Sequence, residues 1–162
     1  MAIETEVKVR VDDTKLEEMT SFLGNPEYFN QINLFYQNGG GFLRLRQEKG
    51  KTVITYKGER RDDKFGSREE IELLLEGEEQ VEVLRKIFEK MGMNETLYYE
   101  KNRAQFDFGR CKIFLDLTPK GSFVEIEAKY PRDIEKAMRF FGLEDKNIEK
   151  RSYLEILRDE RE

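Results

Sequence analysis

The sequence predicts an α+β fold that is mainly β, with about eight strands, enough to close an antiparallel barrel around a small interior site. Three observations lead to this prediction. Polar and apolar residues alternate with a period of two over much of the chain, short turn signals separate the alternating segments, and a few stretches carry apolar residues at helical spacing. The 162 residues are expected to form a single domain, residues 1–162.

The strands are predicted from alternation and from the turns between them. In the first segment Glu4, Glu6 and Lys8 share one face while Thr5 and Val7 share the other. The predicted strands are residues 2–11, Gln31–Gln37, Gly41–Glu48, Lys51–Lys57, Phe65–Leu75, Tyr98–Phe108, Cys111–Asp116 and Ser122–Tyr130. A hairpin turn is expected at Asn38-Gly39-Gly40.

Helices are predicted where apolar residues recur every three or four positions. The first begins at a cap formed by Asp12-Asp13-Thr14 and ends at Gly24. The others are Glu78–Met91, a segment from Pro131 to Phe141, and Ile148–Leu157, followed by a charged tail at Arg158–Glu162. Their apolar stripes need a sheet face to cover.

Composition narrows the possible partners and chemistry. The sequence pI of about 5.2 argues against a nucleic-acid or anionic-membrane partner. No apolar run has the length of a membrane span, and the start has no signal-peptide character, so the expected location is cytoplasmic. Histidine is absent and Cys111 is the single cysteine, so a metal site would use oxygen ligands, which suit Mg²⁺, Mn²⁺ or Ca²⁺.

Charged residues two positions apart mark one face of nearly every predicted strand. Examples are Arg44 with Arg46 and Glu125 with Glu127. Alternation leaves open whether these faces point outward, as in an ordinary barrel, or inward. Like-charge pairs on a solvated face repel, and the amphipathic helices require an apolar outer sheet face, which favours the inward arrangement. A charged interior is stable only if the charges are paired or bind a polyvalent ligand such as a metal–polyphosphate complex.

A series of short motifs resembles the CYTH superfamily, the triphosphate tunnel metalloenzymes that include class IV adenylyl cyclases and thiamine triphosphatases. The N-terminal Glu4-Thr5-Glu6-Val7-Lys8 looks like the family's Glu-x-Glu-x-Lys signature. The later motifs follow in the family's order: Arg44-Leu45-Arg46, Thr55-Tyr56-Lys57-Gly58, Arg68-Glu69-Glu70-Ile71-Glu72, Lys101-Asn102-Arg103, Leu115-Asp116, Phe123-Val124-Glu125-Ile126-Glu127 and Arg151-Ser152-Tyr153.

The resemblance implies an eight-stranded, closed antiparallel tunnel with a charged interior and helices packed outside. It also implies roles for individual residues, and Glu70 and Glu72 would support the bases. The implied metal ligands for Mg²⁺ or Mn²⁺ are Glu4, Glu6, Asp116, Glu125 and Glu127; the implied triphosphate-binding residues are Lys8, Arg44, Arg46, Lys57, Lys101 and Arg103; the implied catalytic residues are Glu4, Glu6 and Lys8.

The expected function is metal-dependent hydrolysis of a small-molecule triphosphate, such as thiamine triphosphate, inorganic tripolyphosphate or a nucleoside triphosphate. Two alternatives stay open: a class IV adenylyl cyclase that converts ATP to cyclic AMP and pyrophosphate, and a non-catalytic polyphosphate-binding module. The short loop after Gln31–Tyr36 leaves little chain for a purine pocket, which favours hydrolysis. No nucleic acid or membrane partner is expected, and a homodimer is left open.

Overall fold

The computed structural model describes residues 2–38 and 41–158, with side chains described from Thr5 to Gln37 and from Phe42 onward. The strands are β1 (Ala2–Val11), β2 (Phe29–Asn38), β3 (Gly41–Glu48), β4 (Lys51–Lys57), β5 (Arg68–Leu75), β6 (Glu95–Phe108), β7 (Cys111–Thr118) and β8 (Gly121–Ala128). The helices are α1 (Asp13–Leu23), α2 (Gly77–Lys90), α3 (Pro131–Phe140) and α4 (Tyr153–Arg158), with a 3₁₀ turn at Asp145–Asn147. Two predictions, the turn at Gly39-Gly40 and the tail beyond Arg158, lie outside the described residues.

The eight strands form a closed antiparallel barrel in the order β1-β5-β4-β3-β2-β6-β7-β8. Strand β1 closes it, since Thr5–Val11 pairs with β8 and Ala2–Glu4 pairs with β5. The predicted eight-stranded antiparallel architecture is therefore confirmed.

The apolar faces of β1, β7 and β8 and parts of those of β2 and β3 point outward and are covered by helices, whereas Ile71 and Leu73 of β5 are exposed. Buried apolar residues of β1, β7 and β8 pack with Met19 of α1 and with Ile134 and Met138 of α3. On the other side of the barrel, Tyr36 and Leu45 pack with Phe88 of α2. Because neighbouring residues of a strand face opposite sides, this places the charged faces in the interior, as the resemblance implies.

Helix α4 differs from the other three, because it covers one end of the barrel. Its apolar residues pack against aromatic and aliphatic side chains that face the barrel interior, among them Phe35, Leu97 and Phe123. At the end of the helix, Arg158 Nη1 donates to Gln37 Oε1 at 3.1 Å. The interior is therefore closed by the last part of the chain on this side.

Several element boundaries differ from the prediction, and two of them have a clear local reason. Strand β5 begins at Arg68, three residues after Phe65, because Asp63 Oδ1 accepts the backbone N–H groups of Phe65 and Ser67 and forms a turn there. Helix α4 begins at Tyr153 because Ile148 bridges to Val9 of β1. In the part of the chain that the structure describes, no helix combines the length and apolarity needed to span a membrane.

Candidate active site

A cavity of about 360 Å³ lies inside the barrel, and every strand contributes to its wall. The basic residues of the wall are Lys8, Arg44, Arg46, Lys57, Arg68, Arg103 and Lys112, and the acidic residues are Glu6, Glu48, Glu70, Glu72, Glu125 and Glu127. Basic and acidic side chains are therefore present in similar number around one cavity. Such a wall can bind a ligand that combines cations with several anionic groups.

Three carboxylates converge on one side of this cavity. Oxygens of Glu6, Glu125 and Glu127 all lie within 4.8 Å of one another. The pairing of β1 with β8 produces this arrangement, because it sets Glu6 opposite Glu127 and Lys8 opposite Glu125. An oxygen-only donor set of this kind fits Mg²⁺ or Mn²⁺. A fourth predicted ligand, Glu4, lies on the same face of β1, but its side chain is outside the described residues.

The fifth predicted metal ligand, Asp116, is fully buried and already bound to four donor groups. Its Oδ2 accepts from Lys101 Nζ at 2.7 Å, from Arg103 Nη2 at 2.6 Å and from the Tyr153 hydroxyl at 2.8 Å, and its Oδ1 accepts from Arg103 Nε at 2.7 Å. Burial opposes ionisation, but the charges of Arg103 and Lys101 hold the pKa of this carboxyl below its ordinary value. Asp116 is thus paired with two bases and a tyrosine and is not one of the three converging glutamates, and its expected role as a metal ligand stays a prediction.

The two bases bound to Asp116 have different positions. Arg103 lines the cavity and also donates from Nη2 to Glu125 Oε2 at 2.7 Å. Despite burial, this contact and the charge of Lys101 hold the pKa of Glu125 well below its ordinary value. Lys101 has a fully buried side chain that is not part of the cavity wall. Of these two predicted triphosphate-binding residues, the structure brings only Arg103 to the cavity.

The predicted arginine pair on β3 faces the cavity with hydrogen-bonding capacity to spare. Arg46 Nε donates to Asn33 Oδ1 at 2.8 Å, and Arg44 Nη2 to Thr55 Oγ1 at 3.4 Å. Arg44 Nε is buried without a hydrogen-bond partner among the described residues, as is Nε of Arg68. Burial, together with the charges of Arg44 and Arg103, lowers the pKa of Arg46 to about 10. This concentration of buried positive charge and unused N–H groups suits an anion with many oxygens.

The other two predicted lysines reach the cavity, Lys8 from β1 and Lys57 from β4. Lys57 forms an ion pair with Glu70, which supports the base. Lys8 Nζ donates to the carbonyl of Arg151 at 2.9 Å. Burial lowers the pKa of Lys8, and the charges of Glu125 and Glu6 act in the opposite direction.

Arg68, Lys112 and Tyr153 are among the residues of the cavity wall that were not predicted as site residues. Arg68 lies 3.6 Å from Glu6, and its place two positions before Glu70 was a usable signal. Lys112 pairs in register with Glu127, which alternation alone did not reveal. Tyr153 belongs to the C-terminal motif, but its contact with Asp116 spans distant parts of the chain.

Comparison with known sequences gives two matches that cover nearly the whole chain. A family model described as the CYTH domain matches residues 2–153. A protein of Methanocaldococcus jannaschii, described as a candidate adenylate cyclase, is 30% identical over 174 residues, which cover 95% of this chain and 98% of the relative.

Solved structures share the same fold. The PH1819 protein of Pyrococcus horikoshii OT3 has a TM-score of 0.83 and 26% identity, with 98% of this chain and 99% of that chain covered. HpAC1 of Hippeastrum, a candidate adenylyl cyclase with a dominant triphosphatase activity, has a TM-score of 0.72 and 18% identity, with 98% and 96% covered. At that identity the likeness to HpAC1 concerns the fold alone.

Proposed function

We propose that this chain, which belongs to the CYTH family, hydrolyses a small-molecule triphosphate bound with Mg²⁺ or Mn²⁺ inside the barrel. One observation carries the proposal. The convergent carboxylates of Glu6, Glu125 and Glu127 share a single cavity with buried basic side chains that have unused N–H groups. Acids that hold cations and bases that hold phosphate oxygens are the two requirements of metal-assisted phosphoryl transfer.

The residues divide into a metal side and a phosphate side. Glu6, Glu125 and Glu127 would hold the cation, and Glu4 is proposed to join them from the same face of β1. A divalent cation, when bound, supplies charge neutralisation and activates water. Arg44 and the bases described above would bind the phosphate oxygens, with the planar guanidinium groups suited to two-point contacts.

Two of the predicted residues change their proposed role. Asp116 is assigned to orient Arg103, because its oxygens already accept four hydrogen bonds. Lys101 is assigned to the same anchor, because its side chain is fully buried behind the cavity wall. Lys8 remains a candidate for direct phosphate contact, since its ammonium group lies at the wall beside Glu125 and Glu6.

Adenylyl cyclase activity is the second candidate, and the similarity to the Methanocaldococcus jannaschii protein favours it. The same metal and phosphate ligands could bind the triphosphate of ATP while the ribose 3′-hydroxyl attacks the α-phosphorus. The cavity volume of about 360 Å³ lies near the lower end of the range of ligand pockets, roughly 300–1,000 Å³. That volume and the closure of one end by α4 favour a compact phosphate chain over a whole nucleotide, so hydrolysis is preferred.

One incubation series separates the candidates. The purified protein is given ATP, thiamine triphosphate or tripolyphosphate with Mg²⁺ or Mn²⁺, and phosphate, pyrophosphate and cyclic AMP are measured. Phosphate release supports the proposal, cyclic AMP with pyrophosphate supports the cyclase, and binding without turnover supports a non-catalytic module. Glu127→Gln serves as the control for contaminating phosphatases, because it removes one carboxylate of the metal side.

A further inference from the structure

The tripeptide Arg151-Ser152-Tyr153 connects α4 to the charged interior through Arg151 and Tyr153. The Arg151 carbonyl accepts from Lys8 Nζ at 2.9 Å. Ser152 begins α4 through a reciprocal cap, since its Oγ accepts the Glu155 N–H at 3.2 Å and its own N–H donates to Glu155 Oε2 at 2.5 Å. The helix start is thereby fixed, and with it the position of Tyr153.

The Tyr153 hydroxyl acts on the carboxylate that orients Arg103. It donates to Asp116 Oδ2, the same oxygen that accepts from Lys101 and from Arg103 Nη2. Three donors on one buried oxygen leave the carboxylate a single orientation. Arg103 Nη2 in turn reaches Glu125 Oε2 at 2.7 Å. A chain of charge-assisted hydrogen bonds therefore runs from Tyr153 to a base and an acid of the cavity wall.

The Tyr153 ring makes a second, separate set of contacts. Lys8 Nζ lies 4.1 Å and Lys101 Nζ 4.2 Å from the ring centroid, distances at which an ammonium group is attracted to the π face. Phe123 meets the same ring edge-on, at 5.5 Å between centroids. The hydroxyl thus acts on Arg103 through Asp116, whereas the ring contacts Lys8, and a Phe substitution separates these two effects.

We propose that Tyr153 is a positioning residue for triphosphate binding: its hydroxyl, through Asp116, fixes the direction of Arg103, and its ring holds the ammonium group of Lys8 at the wall. The identity of the ligand rests on the proposed function. In this role the Arg151-Ser152-Tyr153 motif contributes to ligand affinity, in addition to closing the end of the barrel.

The test measures tripolyphosphate binding by isothermal titration calorimetry in EDTA, so that no turnover occurs. Tyr153→Phe should raise the dissociation constant about tenfold, the lower range for losing a hydrogen bond to a charged group. Tyr153→Leu should raise it further, because Lys8 then loses the ring as well. Tyr36→Phe is the matched control, since Tyr36 is buried under α2 on the outer face, against Phe88. It should bind as the wild type does.

A steady-state measurement adds a readout that a purely structural role would not move. In Tyr153→Phe, KM for the triphosphate should rise about tenfold while kcat changes much less, the pattern expected when a binding contact is misplaced. Wild-type affinity in Tyr153→Phe, or equal weakening in Tyr153→Phe and Tyr36→Phe, would overturn the positioning role and leave the proposed function intact. Absence of tripolyphosphate binding by the wild type in EDTA, together with absence of its turnover in Mg²⁺ or Mn²⁺, would overturn both.

Discussion

Replacement of Arg46 by methionine should have opposite effects on stability and on ligand binding. The pKa of Arg46 falls from the ordinary value of a free arginine to about 10 because the charged group is buried beside Arg44 and Arg103. Since both values lie above 7, the arginine stays charged at neutral pH, and keeping it so costs about 3 kcal/mol of folding free energy. Methionine retains the unbranched stem and removes this cost.

The gain is partly offset by a lost hydrogen bond. Asn33 is fully buried, and its Oδ1, now 2.8 Å from Arg46 Nε, would lose its donor at a cost of about 1–3 kcal/mol. The ligand-free Arg46→Met protein should therefore be as stable as the wild type or up to about 2 kcal/mol more stable. At the same time, the affinity for tripolyphosphate should fall about ten- to a hundredfold, because one charge-assisted contact is removed.

Thermal unfolding with and without tripolyphosphate, in EDTA, measures both effects. At a hundred times Kd the ligand stabilises the wild type by about 2.7 kcal/mol, a Tm rise of roughly 5–11 °C for a domain of this size. At the same concentration the variant should gain about 1.4 kcal/mol or less. The control is Arg110→Met, which removes one positive charge from the exposed turn between β6 and β7. A large drop in the ligand-free Tm of Arg46→Met, together with an unchanged ligand-induced rise, would refute the reasoning.

Three further predictions follow from the site. Turnover should be lost in EDTA and return when Mg²⁺ or Mn²⁺ is added. Glu6→Gln should lower kcat, with partial recovery at high metal concentration. Turnover at the wild-type rate in metal-free buffer would contradict the metal site. The Tm rise should follow the number of phosphates, largest for tripolyphosphate, smaller for pyrophosphate and near zero for phosphate or sulfate at equal ionic strength, and equal shifts would indicate simple screening. Asp116→Asn should destabilise the protein by about 3–5 kcal/mol at pH 7, because Lys101 and Arg103 lose their buried partner. The folded-state pKa of Asp116 is lowered, so its contribution is complete above about pH 5 and declines as the pH falls, and the Tm difference from the wild type should shrink in acid.

The sequence was sufficient to predict which residues share a strand face, but alternation alone did not show which face lies inside. The amphipathic helices favoured an apolar outer face, and the ordered CYTH-like motifs implied the same arrangement, which the packing of Phe88 and Ile134 confirms. The short strands bounded by glycine turns were predicted to within a few residues, because turn chemistry is local.

The ion-pair partners of individual charged residues could not be predicted from the sequence, because they depend on contacts between distant parts of the chain. The resemblance implied that Asp116 binds metal, and nothing near it in the sequence shows that Tyr153 and Lys101 both donate to one of its oxygens. Likewise, helical spacing predicted α4 without its location at the end of the barrel. Residue identity predicts which chemistry is possible, while the burial and pairing of each group decide its role.

The long ladder between β1 and β8 has a consequence for how the protein is made. The first strand of the chain finds its main partner in the last strand, from Thr5↔Ala128 to Val11↔Ser122. During synthesis β1 cannot pair with β8 until Gly121–Ala128 has been made, and contacts of such high sequence separation form slowly. Glu6 and Glu127 are brought together only by this late pairing. A chain that stops before β8 consequently lacks the acidic cluster altogether, so the proposed metal site forms only when the barrel closes.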